Sequence, residues 1–387
     1  MMEKWLLPPA DYARVHEARS ESEALLVQRI LHDAGIPAVV RSRQVPGYAE
    51  VIRRAIGVWG DVLVPVEHRT DARRYVDDYL RAMKEAGPVS RFAGIIPPIV
   101  TLFDDRGRID EDANARHIEF LLRGGVHGIF ALGSTGEVMH LTLDERRQFA
   151  PFVVGRVHGR VPVLIGCAST STDEAVTLAR HAQESGADGV VVIPPYYWTP
   201  NDRAIETHIG AVAAAVDVPV VIYNFPAVVG RTIPPALVAK LVEAYANVLG
   251  IKETVDSIGH IHEVLARVKP LRPEFSVLCG YEFHLLNTLQ SGGDGAIPAL
   301  ANFAPQLPAQ VYERFQQGQP AEAAELLRRR LDLAVLYQLD APFFVVVKEA
   351  MAMLDLIPHA TVRRPAGPLT AESRARLREM LVSAGVL

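Results

Sequence analysis

The chain has 387 residues, 49% hydrophobic and 22% charged, with a formal net charge of -5, a composition that fits a globular protein large enough for a barrel plus a small extra domain. The slightly acidic balance, without clustered positive charge, excludes nucleic acid as the expected partner and leaves small metabolites. No apolar run approaches the roughly 18 residues of a membrane span, and the first twenty residues carry no signal-peptide core, so no membrane association and a cytoplasmic location are expected.

From Ala13 to Met83 the pattern reads strand, helix, strand, strand, helix: ARVHEA, SESEALLVQRILHDAG, IPAVVRS, DVLVPVEH and RTDARRYVDDYLRAM. The first helix is expected from Ser20 as cap with Glu23 three residues on, apolar Leu25, Ile30 and Leu31, and a terminating Gly35. The strands follow from alternation. On these segments, residues 11–83 resemble the small α/β module called DUF2007, a signal-transducing domain. No nucleophile, metal cluster or glycine loop occurs in it, so an accessory role in oligomerisation or small-ligand binding is expected. The stretch EAGPVSRF, residues 85–92, reads as a linker.

Beyond Phe92, short apolar runs alternate with amphipathic helical stretches, the signature of parallel strands joined by crossover helices. Eight runs occur: GIIPPIVTLF, GIFALGS, PVLIGC, GVVVIPPYY, PVVIYNF, VLGIKET, FSVLCGYE and GAIPAL. Their spacing favours a closed (β/α)8 TIM barrel over a doubly wound sheet. The Gly-rich SGGDG precedes the eighth run and reads as a helix-ending turn, not a phosphate cradle. The segment from Pro305 onward reads as a helical C-terminal extension. The expected division is residues 1–88 for the α+β accessory domain, 89–310 for a catalytic barrel and 311–387 for the extension. Cys167 and Cys279 lie far apart after apolar runs and read as core fillers.

In such a barrel, catalytic groups stand at the C-terminal ends of strands. The sixth run ends in Lys252, one of only six lysines in the chain. Desolvation in the barrel mouth disfavours an ammonium and leaves free amine to attack a carbonyl, which is Schiff-base chemistry. The alternative is a lysine paired with a carboxylate such as Glu253 or Glu137. Lys348, in a helical stretch beyond the barrel, is expected to be structural. Tyr223 ends the preceding run and should neighbour Lys252, where a phenol can relay protons. In GSTGE, Gly133 and Gly136 let backbone N–H groups approach a ligand, and Ser134 and Thr135 supply hydroxyls suited to a carboxylate.

In order and spacing, GSTGE, PYYW, YNFPA and GIKET resemble the dihydrodipicolinate synthase and N-acetylneuraminate lyase superfamily, over about residues 93–387. The resemblance implies a class I pyruvate aldolase or lyase with Lys252 as Schiff-base lysine and Tyr223 as acid/base tyrosine. It also implies Ser134 and Thr135 as the pair that holds the pyruvate carboxylate and passes protons. Gly280 and Ile297 match positions lining the pyruvate pocket. Tyr197 matches a tyrosine that reaches across a dimer interface. No metal or organic cofactor, and a homotetramer built as a dimer of dimers, are implied as well.

Two departures bear on the second substrate. Val228 stands where lysine-pathway synthases carry an arginine that clamps a carboxylate, so that activity would need another arginine, such as Arg231, to take over. Phe283 stands where sialic-acid lyases place an acidic residue. Segments such as VVIPPYYW, VIYNFPAVVGR and SVLCGYEFHLLNTLQSGGDGAI are instead similar to 2-keto-3-deoxygluconate aldolases, which implies cleavage of a 2-keto-3-deoxy sugar acid to pyruvate and glyceraldehyde. Tyr281, Glu282 and the loop near Ala301 and Asn302 are then expected at the polyol. Residual 4-hydroxy-tetrahydrodipicolinate synthase activity, a dehydratase sharing the same imine, and a non-catalytic keto-acid sensor are the alternatives.

Overall fold

The computed structural model describes residues 11–18, 21–42, 60–85, 92–329 and 331–387. The chain divides into two compact units, Met1–Val89 and Ser90–Leu387.

In the first unit, β1 (Tyr12–Ala18), α1 (Glu21–Asp33), β2 (Val39–Ser42), β3 (Gly60–Pro65) and α2 (Arg69–Glu85) follow the expected order. The strands form an antiparallel sheet in the order β1-β3-β2. Ala24, Val27 and Leu31 of α1 recur at helical spacing and bury against Val62 and Val64 of β3 and Ala72 and Val76 of α2. Gly35, in the left-handed region at φ 74°, ends the helix by releasing Ile36 N–H to the Leu31 carbonyl at 2.8 Å. The expected cap Ser20 and linker residues 86–91 lie outside the described residues.

The second unit is a parallel barrel. Its strands are β4 (Gly94–Ile95), β5 (Ile129–Ala131), β6 (Val163–Gly166), β7 (Gly189–Val192), β8 (Val220–Asn224), β9 (Val248–Glu253), β10 (Ser276–Cys279) and β11 (Gly295–Ala296). They pair in sequence from β5 to β11, and β11 pairs with β4. Closure comes where β4 runs on: Phe130 N–H donates to the Pro97 carbonyl at 3.0 Å, and Ile99 N–H to the Phe130 carbonyl at 2.8 Å. The first and last strands are far shorter than their apolar runs. Pro97, Pro98 and Pro298 have no N–H to give a ladder, so the runs continue as irregular extended chain.

Crossover helices α3 (Glu111–Arg123), α4 (Leu143–Val157), α5 (Thr172–Glu184), α6 (Asp202–Ala213), α7 (Pro235–Ala244), α8 (Ile258–Val268) and α9 (Leu285–Gln290) surround the sheet. Asp110, Thr142, Ser171, Asn201 and Ser257 each cap a helix by accepting an amide N–H of its first turn. After α9, the SGGDG segment is a helix-ending turn, with Gly293 N–H donating to the Thr288 carbonyl at 2.8 Å. The C-terminal part is helical: α10 (Gln306–Gln316), α11 (Pro320–Arg328), α12 (Phe344–Met353) and α13 (Ala371–Ser383). Cys167 and Cys279 are free and buried.

Strand alternation divides the core. Val190, Val192, Ile222 and Ile251 face the helices, whereas Val191, Val221, Tyr223 and Leu278 fill the barrel interior. The barrel closes tightly at Gly166, where an added Cβ would lie 2.1 Å from the Leu132 carbonyl oxygen. Neither backbone can yield without opening the β5–β6 ladder. Gly166→Ala is therefore expected to destabilise the protein by roughly 2–4 kcal/mol and to lower Tm by several degrees. Thermal unfolding followed by circular dichroism checks this, and a Tm unchanged from wild type would contradict it.

Candidate active site

The parallel register of β8 and β9 places Tyr223 opposite Lys252 and Asn224 opposite Glu253. Alternation sends the first pair into the barrel and the second outward. Outside, Asn224 Nδ2 donates to Glu253 Oε2 at 2.8 Å, which fixes the strand ends against each other. Inside, Lys252 is 4% exposed, with Nζ 4.2 Å from the Tyr223 ring centroid and 5.1 Å from that of Phe130. Neither expected carboxylate partner is available to it: Glu253 faces outward, and Glu137 is taken by Lys348. Burial without a counter-charge lowers the Lys252 amine to about 7.

Lys252 lines a cavity of about 290 Å³ together with Tyr223, Thr135, Thr254, Gly280 and Ile297. Gly280 is required here, because a Cβ would sit 2.0 Å from Thr254 Oγ1. Burial raises the Tyr223 phenol well above its ordinary value, and the nearby Thr254 and Ser134 hydroxyls oppose that rise. On the other side of Tyr223 lies a second, mostly apolar cavity of about 230 Å³, lined by Gly133, Ser134, Phe130 and Val228. Ser134 and Thr135 thus flank the phenol from two sides.

The GSTGE turn is bounded by two non-glycine residues in the left-handed region, Leu132 at φ 59° and Glu137 at φ 54°. Such conformations are sparsely populated and persist only where surrounding structure imposes them. Gly136 presents its carbonyl to Thr101 Oγ1, which donates at 2.8 Å.

Two expected contacts, Glu282 and the loop near Ala301 and Asn302, fall elsewhere, and Tyr197, expected at a dimer interface, stands outside both cavities. Tyr197 is 99% exposed, with φ 93°. Glu282 is buried and lies off the lining of the Lys252 cavity. Tyr337 donates to its Oε1 at 2.6 Å, and burial raises its carboxyl to about 7. The cause is local: after β10 the chain enters a short 3-10 turn, Glu282–His284, so Tyr281 and Phe283 face the cavity and Glu282 does not. Ala301 and Asn302 are also off the cavity. Asn302 is a buried bracket, accepting from Val100 N–H at 3.0 Å and donating to the Pro98 carbonyl at 2.9 Å. Conversely, the cavity mouth includes Asp256 and, from the C-terminal part, Tyr337, Gln338 and Phe343, none of which stands at a strand end where sequence reasoning would search. Among the described residues, no group of three or more His, Cys, Asp or Glu side chains is placed to hold a metal ion, and no helix is long and apolar enough to cross a membrane.

Comparison with known proteins agrees with this geometry. The profile of the dihydrodipicolinate synthetase family matches residues 91–384. An Escherichia coli K12 protein named "Putative 2-dehydro-3-deoxy-D-gluconate aldolase YagE" is 43% identical over 290 residues, covering 75% of this chain and 96% of its own. Another from the same organism, "Probable 2-dehydro-3-deoxy-D-pentonate aldolase YjhH", is 42% identical over 299 residues, covering 77% and 99%. The crystal structure of YagE in complex with pyruvate superposes with a TM-score of 0.75 over 77% of this chain and 100% of that one. Dihydrodipicolinate synthase from Aquifex aeolicus superposes at 0.72 with 31% identity, over 76% and 99%.

Replacing each of the two buried lysines, Lys252 and Lys348, is expected to shift stability in opposite directions. An amine at about 7 in the folded chain and near 10.5 when unfolded opposes folding fully below the folded value, and the penalty vanishes as pH rises through the unfolded one. Lys252→Met is therefore expected to raise Tm at neutral pH, by an amount that fades toward about pH 10.5. Lys348→Met, which strands the buried Glu137 carboxylate, is expected to lower Tm at neutral pH. Thermal unfolding of both variants across pH separates the two effects; a Lys252→Met protein less stable than wild type at neutral pH would contradict the assignment.

Proposed function

This chain belongs to the dihydrodipicolinate synthetase family, and from that premise we propose that it is a Schiff-base pyruvate aldolase acting on a 2-keto-3-deoxy sugar acid. The neutral Lys252 amine attacks the keto carbon, and loss of water gives an imine whose protonated form serves as the electron sink. Removal of the C4 hydroxyl proton breaks the C3–C4 bond and releases the aldehyde. The remaining enamine takes a proton at C3, and hydrolysis frees pyruvate and the amine. Tyr223 carries protons to and from the carbinolamine and aldol oxygens, with Ser134 beside it as relay. Ser134, Thr135 and the backbone of Gly133 receive the substrate carboxylate, while Gly280 and Ile297 bound the three-carbon end. The imine nitrogen supplies the sink, so the reaction as written calls on no further cofactor.

The observation that carries the choice of substrate is the charge of the cavity wall. Among the described lining residues Lys252 is the only cation, and the wall also presents Thr254, Asp256, Tyr281 and Gln338. Such a wall suits a hydroxylated, uncharged aldehyde. It does not suit aspartate semialdehyde, whose carboxylate needs a cation: Val228 offers none, and Arg231 is paired with Asp202.

In this reading the protein is a cytoplasmic homotetramer, and Tyr197 completes a partner subunit's site. Full exposure and a left-handed backbone suit a side chain projecting away from its own subunit. The N-terminal unit is an accessory module, and aldol cleavage resides in the barrel.

Cyanoborohydride with pyruvate is expected to add one three-carbon unit per chain at Lys252, seen by peptide mass spectrometry and absent from Lys252→Ala. Tyr223→Phe should fold normally and lose about 10²–10⁴-fold in kcat for pyruvate release from 2-keto-3-deoxygluconate. An adduct that survives Lys252→Ala would refute the mechanism, and faster turnover with aspartate semialdehyde than with any deoxy sugar acid would refute the substrate class.

A further inference from the structure

Lys348, on α12, is fully buried. Its ammonium donates to Glu137 Oε1 and to the Thr361 carbonyl, the latter at 2.8 Å. The second oxygen of Glu137 accepts the Arg363 backbone N–H at 3.0 Å and faces His140 Nδ1 at 3.3 Å. Arg363 in turn clamps Glu145 and donates to the Gly107 carbonyl. Thus two segments of the C-terminal part, α12 and the stretch around residues 361–363, converge on one carboxylate.

That carboxylate belongs to the last residue of the GSTGE turn. Glu137 N–H donates to the Ser134 carbonyl at 3.2 Å, and Gly136 N–H to the Gly133 carbonyl at 3.0 Å. A change at Glu137 therefore passes directly into Ser134 and Thr135. A buried ion pair is a poor way to gain stability, since an apolar pair of similar volume commonly does as well or better. What it gives is a fixed position, here for a residue with left-handed backbone that would otherwise relax.

We propose that Lys348 is a positioning residue: by clamping Glu137 it holds Ser134 and Thr135 in the arrangement that receives the substrate carboxylate. The inference rests on the aldolase reading above and deepens it, giving the C-terminal part a share in substrate binding. Its consequence is selective, because loss of the clamp acts on capture of the carboxylate, and Glu137 itself lines neither cavity.

Pyruvate and acetone separate these effects, since both present a methyl ketone to Lys252 and only pyruvate has the carboxylate. Trapping with cyanoborohydride is measured against ketone concentration for wild type, Lys348→Met and the double variant Glu137→Gln/Lys348→Met. The double variant leaves no unpaired buried charge and keeps the test available if the single one does not fold. The pyruvate concentration for half-maximal trapping is expected to rise at least about tenfold, the scale of one lost charge-assisted hydrogen bond, while acetone trapping stays within about twofold. An unchanged pyruvate response in a folded variant, or a parallel loss with both ketones, would overturn the inference. If wild type traps no pyruvate at Lys252, it is the aldolase reading that fails, before the variants are compared.

Discussion

A lysine amine withdrawn from water with no carboxylate beside it is the constraint on which the rest of this site depends. The barrel unit holds two buried lysines, and the contrast between them shows how the constraint is imposed. Burial pulls both amines down. Lys348 is held at about 8 because Glu137 opposes the shift, whereas Lys252, facing only aromatic rings, falls to about 7. What separates the two lysines is geometry: Lys348 is paired with a buried carboxylate, and Lys252 faces aromatic rings instead. The unpaired amine is a local loss of stability, of the kind that active sites accept in return for reactivity.

Keeping acids away from Lys252 is a task for the whole strand arrangement. Every second residue of β8 and β9 points inward, so Tyr223 and Lys252 share one face, and their neighbours Asn224 and Glu253 join on the other. Glu253 is adjacent in sequence to the amine and sterically barred from it. Glu137, at the end of the GSTGE turn, lies outside the lining of the Lys252 cavity and is held by α12 and the residues around Arg363. Two potential partners are thus kept from the amine in two ways, by strand alternation and by tertiary packing.

This division explains what could be read from sequence. Lys252 and Tyr223 were legible because a parallel β strand obeys a period of two, and because strand ends in a barrel open onto one face. The βαββα order of the first unit was legible for the same reason, from alternation and from stops such as Gly35. The strand lengths were not, since prolines 97, 98 and 298 withdraw their amides from the ladder while keeping the apolar pattern. Glu282 was expected at the polyol, beside Tyr281, on the resemblance to 2-keto-3-deoxygluconate aldolases. The chain had already turned into a 3-10 helix, which leaves Tyr281 and Phe283 on the cavity instead. Tyr337, Gln338 and Phe343 reach the mouth through packing of the C-terminal helices, and no local periodicity encodes a contact made across more than fifty residues. The choice between Glu253, Glu137 and no partner for Lys252 was likewise open in the sequence, because it depends on where Lys348 sits.

The most direct test is the protonation of that one amine. Competitive acylation of the native protein from about pH 5 to 11, with Lys252 quantified by peptide mass spectrometry, reads the fraction of free amine at each pH. Labelling is predicted to follow a single titration centred near 7 and to fall about tenfold for each unit below it. A midpoint close to that of an ordinary lysine would mean that the amine is charged at neutral pH, and the nucleophile proposed here would not exist.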